Sequence, residues 1–183
     1  MNQDIFQNFP KIETERLLLR QLVQSDTEKL FEFNSNLETL KFIARSPFTK
    51  REQAEQKMAD WLKAYADKKA IWWAFTYKAT DQFIGYGGYF NICTESNKAE
   101  IGYGLLPEFW GQGYMSEIAS NLVRFGIDSM NLHRIYAIVI PGNEASVKVL
   151  KKNGFEKEGH LKDDSFARNR YFDSCIYGLI NDR

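Results

Sequence analysis

The chain is poor in the residues that stabilise small secreted domains or hold metal ions. It has two cysteines and two histidines among 183 residues. Cys93 and Cys175 lack the short spacing of a metal-binding pair, and two free thiols are typical of a cytosolic protein. His133 and His160 are too separate to form a metal site. We therefore expect a cytoplasmic protein without a metal.

An excess of one charge sign is also lacking. Lys plus Arg and Asp plus Glu each number 24, so the composition does not favour DNA or RNA as a partner. No apolar run reaches membrane length, and Asp4 interrupts the region where a signal peptide would be apolar. We expect no nucleic-acid partner, no membrane association, and one domain over residues 12–183 after a loosely held N-terminal arm, residues 1–11.

The most informative segment that is present runs from Ala99 to Ser116. It predicts a short strand that enters a glycine-rich turn and then an amphipathic helix. The first N–H groups of a helix have no intrahelical partner, and the helix dipole adds partial positive charge there. Gly111 and Gly113 have no Cβ, so a phosphate can approach the backbone closely. The pattern favours a phosphorylated ligand, although an ordinary strand–helix turn is an alternative.

Two common phosphate motifs are excluded by spacing. A Walker loop requires Lys and then Ser or Thr after its last glycine, but Tyr114 and Met115 follow Gly113. The dinucleotide fingerprint requires a third glycine at the position that Ser116 occupies.

A second motif follows about thirty residues later. It predicts a buried strand, a helix that begins at Asn143 and a stop at Gly154. With it, the chain resembles the GNAT superfamily of acetyl-CoA-dependent N-acetyltransferases, above all the branch of ribosomal-protein N-terminal acetyltransferases. The likeness is carried by Pro107–Tyr114, Asn143–Ser146, Asn153–Phe155 and the opening strand Ile12–Arg20.

The resemblance implies an α/β (α+β) fold with a mixed, mostly antiparallel sheet of about six to seven strands flanked by helices. It implies acetyl-CoA as cosubstrate. Asn143 would contact its pantetheine arm, and backbone groups near Leu105 and Leu106 would bind the pantetheine amides and polarise the carbonyl. The remaining cofactor-binding residues would come from the loop and the helix start: Trp110, Gly111, Gln112, Gly113, Tyr114, Met115 and Ser116. The sequence also predicts a short helix over Leu37–Ile43.

The sequence departs from the family pattern at two positions. Glu108 stands where a Gln or Arg usually begins the phosphate loop. Leu150 stands where many members have a Tyr that protonates the leaving thiolate. The resemblance implies that the Ser146 hydroxyl faces the thioester sulfur, so that role falls to Ser146, to water or to no group.

Glu100 is the candidate for removing the proton of the attacking amine. Strand alternation places it on one face with Gly102 and Gly104, and we expect open space there for a substrate or a water. Because the ordinary pKa of Glu is about 4.3, proton transfer through water is favoured over direct abstraction. A surface carboxylate in a cross-strand pair is the structural alternative.

The acceptor amine is the least determined part of the prediction. The segments that the resemblance assigns to the acceptor groove include Phe33, Asn34, Phe42 and residues 163–169. The leading hypothesis is the α-amine of a protein N-terminus, such as that of a ribosomal protein. A small-molecule amine (polyamine, amino sugar or antibiotic) and a non-catalytic acyl-CoA-binding module are the alternatives. Exposed aromatic side chains also allow a homodimer.

Overall fold

The centre of the protein is an eight-stranded mixed sheet, seen in a computed structural model that describes residues 2 and 4–182. Its order is β1-β2-β3-β4-β5-β6-β8-β7, with β5 and β6 parallel and the other neighbours antiparallel. This confirms the predicted fold class, with eight strands instead of the six to seven expected because the two-residue β1 adds an edge strand. The strands are β1 (Ile12–Glu13), β2 (Leu17–Gln21), β3 (Ile71–Tyr77), β4 (Phe83–Cys93), β5 (Lys98–Leu105), β6 (Arg134–Val139), β7 (Glu156–Ala167) and β8 (Arg170–Ile180).

Helices cover both faces of this sheet. They are α1 (Thr27–Ser35), α2 (Glu52–Ala66), α3 (Tyr114–Asp128) and α4 (Glu144–Lys152). Two consecutive residues of β3 show the arrangement, since neighbouring side chains on a strand point to opposite faces. Trp72 stacks on Trp61 of α2 with ring centroids 4.6 Å apart, whereas the ring of Trp73 meets the edge of Phe125 of α3 at 5.2 Å. Thus α2 and α3 lie on opposite faces.

The parallel pair β5 and β6 separates along its length. Its ladder consists of Lys98–Arg134, Ala99–Ile135 and Glu100–Tyr136. Beyond the third pair, β5 continues to pair with β4 and β6 with β8, but the described residues form no further ladder between β5 and β6. The sheet therefore opens at the carboxyl ends of its two central strands, and α3 connects these strands.

The expectation of a loosely held arm at residues 1–11 is wrong for the residues that are described; residues 1 and 3 lie outside them. Asp4–Phe6 form a turn of 3₁₀ helix, and Ile5 is buried. The Tyr65 hydroxyl donates to the Ile5 carbonyl at 2.9 Å, and the Trp73 indole donates to the Pro10 carbonyl at 2.8 Å. The buried side chain of Ile5 and the two hydrogen-bonded carbonyls therefore hold this segment against the domain.

The short helix expected over Leu37–Ile43 is also absent from the structure, which has successive turns there. Turn bonds such as Lys41 N–H to the Glu38 carbonyl, 3.1 Å, replace a helical series. The guanidinium of Arg168, beyond the tip of β7, donates to the carbonyls of Ile43 and Arg45 at 2.9 and 2.7 Å. A tertiary contact therefore fixes this loop where local propensity indicated a helix.

Candidate active site

The glycine-rich loop has the open backbone that the sequence predicts. Gly111 and Gly113 adopt φ of +73° and +81°, a conformation that favours glycine, and Gly113 is the N-cap of α3. In the described part of the chain, no backbone N–H from Gly111 to Ser116 has a hydrogen-bond acceptor. An ideal Cβ on Gly111 would meet no atom within 4 Å. The loop therefore offers several N–H groups and an unobstructed approach to an anion.

Arg16 adds a cation to this loop, and the sequence analysis missed its role. Its guanidinium donates to the Gln112 carbonyl at 3.2 Å and pairs with Glu117 in the first turn of α3 at 2.8 Å. It also lies over the Tyr114 ring, 4.3 Å from the centroid. Arg16 precedes β2, so its place beside α3 depends on tertiary packing. Glu117 was the one sequence feature that could have indicated this role. It is an acidic residue in the first turn of α3, and such a residue can pair with an arginine from another element.

The side chains of the loop mainly fix its shape. The Trp110 indole donates to the Leu105 carbonyl at 2.8 Å, and the Gln112 amide donates to the Glu108 carbonyl at 2.7 Å. The hydroxyls of Tyr114 and Tyr77 are 2.8 Å apart. These contacts use side chains within the protein, which leaves the backbone N–H groups as the main anion donors. Met115 packs against the core, and Ser116 is half-buried in the first turn.

The end of β5 differs from its expected role at one residue. The Leu106 N–H donates to the Ile84 carbonyl at 2.9 Å, and the Leu106 carbonyl accepts from Phe109 N–H at 3.0 Å. The Leu106 N–H is therefore already paired within the protein, whereas its carbonyl can accept a second hydrogen bond. Backbone direction alternates along a strand, so the N–H groups of Leu105 and Tyr103 point away from β4, towards the opening between β5 and β6.

Glu100 lies at the point where this opening begins. It is 7% exposed and pairs in register with Phe90 on β4 and Tyr136 on β6. Its carboxylate accepts from the Asn91 amide at 2.9 Å and makes no ion pair among the described residues. Burial raises the pKa of Glu100, while Asn91 and Tyr136 partly offset this rise. A buried carboxylate with a raised pKa and no cationic partner is suited to accept a proton.

The expected open space next to Glu100 is not present. An ideal Cβ on Gly102 would lie 2.9 Å from the Phe90 ring, and one on Gly104 would lie 2.6 Å from the Phe33 ring. The two glycines make room for aromatic rings. The predicted alternation of side chains along β5 is present, because Glu100, Gly102 and Gly104 lie on one face. Phe90 and Phe33 lie on the same face, so aromatic rings surround Glu100.

The start of α4 has the predicted cap. The Asn143 side chain accepts from the Ser146 N–H at 3.2 Å, which fixes Asn143 as the N-cap. Ser146 is half-buried in the first turn. Leu150 is 2% exposed and belongs to the hydrophobic core. The helix therefore presents Ser146 near its start, while position 150 serves packing.

The residues predicted for the acceptor groove divide into two groups. Phe33 and Asn34 are buried, and the Asn34 carbonyl oxygen accepts from Arg45 and from the Tyr86 hydroxyl. Their side chains are therefore not exposed to an acceptor, and Asn34 instead fixes the positions of Arg45 and Tyr86. In the 163–169 segment, Asp163 N–H donates to Asp173 at 3.0 Å, so this part of the segment is used to shape the β7–β8 hairpin.

Aromatic rings and cations occupy the same side of the sheet as Glu100. Phe90 and Trp72 stack with centroids 5.0 Å apart, and Trp72 stacks in turn on Trp61. The Lys57 ammonium lies 4.5 Å from the Trp61 centroid. Burial, together with the smaller effect of the nearby Arg45 charge, lowers the pKa of Lys57 to about 8. We call these five residues, with Tyr86, the acceptor face.

Two cavities of very different size lie near the acceptor face. Lys57 also lines a depression of about 430 Å³ along α2, together with Phe48, Lys50, Glu52, Gln53, Gln56 and Asp60. The enclosed cavity beneath Trp61 and Trp72 has a volume of about 10 Å³, roughly the space of one water molecule. Lys57 therefore lies between the stacked aromatic rings and an open depression on the surface of α2.

Neither a metal-binding cluster nor a membrane-spanning helix is present among the described residues. Within residues 2 and 4–182, no group of three His, Cys, Asp or Glu side chains is placed to hold a metal ion. Over the same residues, no helix combines the length and the apolar character required to cross a membrane.

Comparison with known proteins identifies close similarity over the whole domain. The sequence profile of the acetyltransferase (GNAT) domain matches residues 16–156. The chain is 34% identical over 175 residues to the uncharacterized N-acetyltransferase YoaA of Bacillus subtilis (strain 168), which covers 96% of this chain and 99% of the relative.

Solved structures show the same architecture. The ribosomal-protein-S5-alanine acetyltransferase of Vibrio fischeri aligns with a TM-score of 0.81 and 27% identity, over 94% of this chain and 97% of that one. The spermidine N-acetyltransferase of Vibrio cholerae, solved with CoA and spermine, has a TM-score of 0.80 and 23% identity, over 90% and 95% of the two chains. Because the identity to the spermidine N-acetyltransferase is only 23%, that comparison shows a shared fold and nothing more.

Proposed function

The chain belongs to the GNAT acetyltransferase family, and from this premise we propose that it transfers the acetyl group of acetyl-CoA to the α-amine of a protein N-terminus. Family membership makes it an N-acetyltransferase whose acetyl donor is acetyl-CoA. What we propose is the kind of acceptor, the catalytic residues and the residues that bind CoA.

The observation that carries the choice of acceptor is the open depression along α2 that Lys57 helps to line. A polypeptide can extend along such a surface, whereas a small amine gains most of its binding energy from an enclosing pocket. The V. fischeri protein with the same fold is a ribosomal-protein-S5-alanine acetyltransferase, which supports a polypeptide acceptor.

Two neighbouring cations on the acceptor face favour an acceptor with few positive charges, although the carboxylates of Glu52 and Asp60 line the same depression as Lys57. Lys57 and Arg45 are close enough for the charge of Arg45 to lower the pKa of the Lys57 ammonium. A polyamine carries several ammonium groups, and like charges at short range repel. A peptide N-terminus brings one amine with an ordinary pKa of about 7.7–8.0, so it meets less repulsion and loses its proton more readily.

The residues around the opening support a division of roles. The N–H groups from Gly111 to Ser116 and the Arg16 guanidinium bind the CoA diphosphate. The backbone of Tyr103 and Leu105 and the Asn143 side chain lie along the path of the pantetheine arm. Glu100 accepts the proton of the attacking amine, through a water, because its carboxylate is buried. The Ser146 hydroxyl faces the sulfur. Positioning both reactants in one opening supplies much of the rate enhancement.

A panel of amines tests the proposed acceptor. CoA thiol release from acetyl-CoA is measured with peptides that begin with Ala or Ser, with the same peptides blocked at the N-terminus, and with spermidine. We expect kcat/KM for the free N-terminus to exceed that for spermidine by about tenfold or more, since one enforced charge repulsion is worth about 1.4 kcal/mol or more at short range. A preference for spermidine would overturn the peptide proposal. CoA binding without turnover of any amine would instead support a non-catalytic module.

A small-molecule amine is the second candidate. It is favoured by the shared fold of the V. cholerae spermidine acetyltransferase, and the same panel decides between the two.

Replacement of Arg16 tests the predicted phosphate site. Arg16→Gln is expected to raise the Kd of CoA about two- to fivefold at low salt, the size of an exposed charge interaction, and the difference should shrink as salt is added. Isothermal titration calorimetry measures both. Arg124→Gln is the matched control, because Arg124 is an exposed arginine further along α3 whose guanidinium contacts Asn121. Equal affinities in all three proteins would remove Arg16 from the site.

A further inference from the structure

Tyr103 on β5 carries a buried hydroxyl group that has no part in the roles proposed above. It follows Glu100 by three positions on β5, so alternation places its side chain on the opposite face. Among the described residues, its hydroxyl oxygen is buried and has no hydrogen-bond partner. Buried tyrosine hydroxyls are normally paired. The Tyr103 hydroxyl beside the opening in the sheet is therefore free to donate to a bound ligand.

The surroundings of this hydroxyl show where such a ligand would lie. The Ser146 side chain is next to it, close enough to lower the pKa of the phenol but outside hydrogen-bond geometry. Tyr103 belongs to β5, and Ser146 belongs to α4, which follows β6. The two hydroxyls therefore meet across the opening between the two strands, where the acetyl donor would pass.

We propose that the Tyr103 hydroxyl donates a hydrogen bond to the sulfur of the acetyl donor as the thiolate leaves. This assignment rests on the proposed function. It gives the leaving group a donor from β5 although Leu150 on α4 is buried in the core and has no proton to give.

The bonding changes determine the kind of assistance that Tyr103 provides. The amine nitrogen forms a bond to the carbonyl carbon, the carbon–sulfur bond breaks, and the sulfur keeps the electron pair as a thiolate. The proton of the amine leaves through Glu100 and water. Burial raises the pKa of the Tyr103 phenol to about 12, whereas an alkyl thiol has a pKa of about 8.5. Complete proton transfer from the phenol to the thiolate is therefore uphill. Tyr103 keeps its proton and stabilises the thiolate as a donor, and solvent later protonates the released thiolate.

The thiol of bound CoA reports this hydrogen bond without any acceptor amine. A donor at the sulfur favours the thiolate and lowers the thiol pKa, which is measured from thiolate absorbance across a pH titration of the CoA complex. In Tyr103→Phe the bound thiol should titrate about one pKa unit or more higher than in the wild type, since hydrogen bonds to charged groups are the strong ones. The substitution removes one unpaired oxygen, so the fold should persist.

Steady-state kinetics with acetyl-CoA provide a second test of the hydrogen bond from Tyr103. Tyr103→Phe should lower kcat about tenfold with little change in the KM for acetyl-CoA, and the loss should be larger for thioesters of less acidic thiols. A purely structural role for Tyr103 would not produce that dependence on the leaving group.

Tyr89→Phe is the matched control. The Tyr89 hydroxyl is also buried, but it donates to the Leu122 carbonyl at 2.8 Å within the core. We expect this variant to lose stability and to leave the thiol pKa of bound CoA unchanged. Equal thiol pKa values in the wild type and Tyr103→Phe, with CoA bound and amines still acetylated, would overturn the role of Tyr103 alone. Absence of CoA binding to the wild type would overturn the proposed function as well.

Discussion

Glu100→Gln is expected to lower kcat by about 10²- to 10⁴-fold, the usual contribution of general base catalysis, while the Kd of CoA stays unchanged. The side chain keeps its size, and the amide oxygen can still accept from Asn91, which now contacts the carboxylate at 2.9 Å. The change therefore removes the ability to accept a proton and little else. Steady-state kinetics with the best peptide acceptor and calorimetry with CoA measure the two quantities.

The pH dependence separates a base from a structural carboxylate. Burial raises the pKa of Glu100, and the base is active only when ionised. In the wild type, kcat/KM should rise with pH first through the raised pKa of Glu100 and again as the acceptor amine loses its proton near pH 8. The variant should retain only the second rise. A pH profile with the same two rises in both proteins would exclude Glu100 as the base.

Stability provides the control for this experiment. A carboxyl group whose pKa is raised in the folded protein adds stability below its unfolded pKa and loses that contribution as pH rises through the folded pKa. At neutral pH the buried charge of Glu100 opposes folding, so Glu100→Gln should unfold at the same temperature as the wild type or higher. Glu156→Gln, an exposed carboxylate on β7, is the matched variant and should leave kcat unchanged.

Gly111→Val should raise the Kd of CoA at least tenfold. The protein itself has room for the side chain, since an ideal Cβ meets no atom within 4 Å. The valine would instead stand over the N–H groups that we propose to bind phosphate, and it would disfavour φ of +73°. An L-residue in the left-handed region costs about 1–2 kcal/mol. Calorimetry with CoA measures the affinity, and thermal unfolding measures the backbone cost.

Gly154→Val separates these two effects. Gly154 has a similar φ of +84°, but it lies after the end of α4, where a Cβ would approach Leu179 at 3.3 Å. We expect a comparable loss of stability with no change in the Kd of CoA. If both variants weaken CoA binding equally, backbone strain explains the result and the phosphate loop loses its support.

Local patterns predicted the elements that carry the phosphate loop. The Gly111 and Gly113 turn, the helix after it and the cap at Asn143 depend on residues within a few positions of one another, so sequence spacing is sufficient to predict them. The short helix at Leu37–Ile43 failed for the opposite reason, because Arg168, far along the chain, fixes that loop. The N-terminal arm was underestimated because its partners, Tyr65 and Trp73, belong to distant elements.

The sequence by itself determined the fold class, the acetyltransferase family and the segments proposed to bind CoA, since these follow from short motifs in a fixed order. Only the tertiary structure decided which groups meet at the opening between β5 and β6. The burial of Glu100, the approach of Arg16 to Gln112 and the unpaired hydroxyl of Tyr103 beside Ser146 join residues that are far apart along the chain. Desolvation and proximity arise only when the strands and helices pack, so the reactivity of these groups is a property of the folded chain.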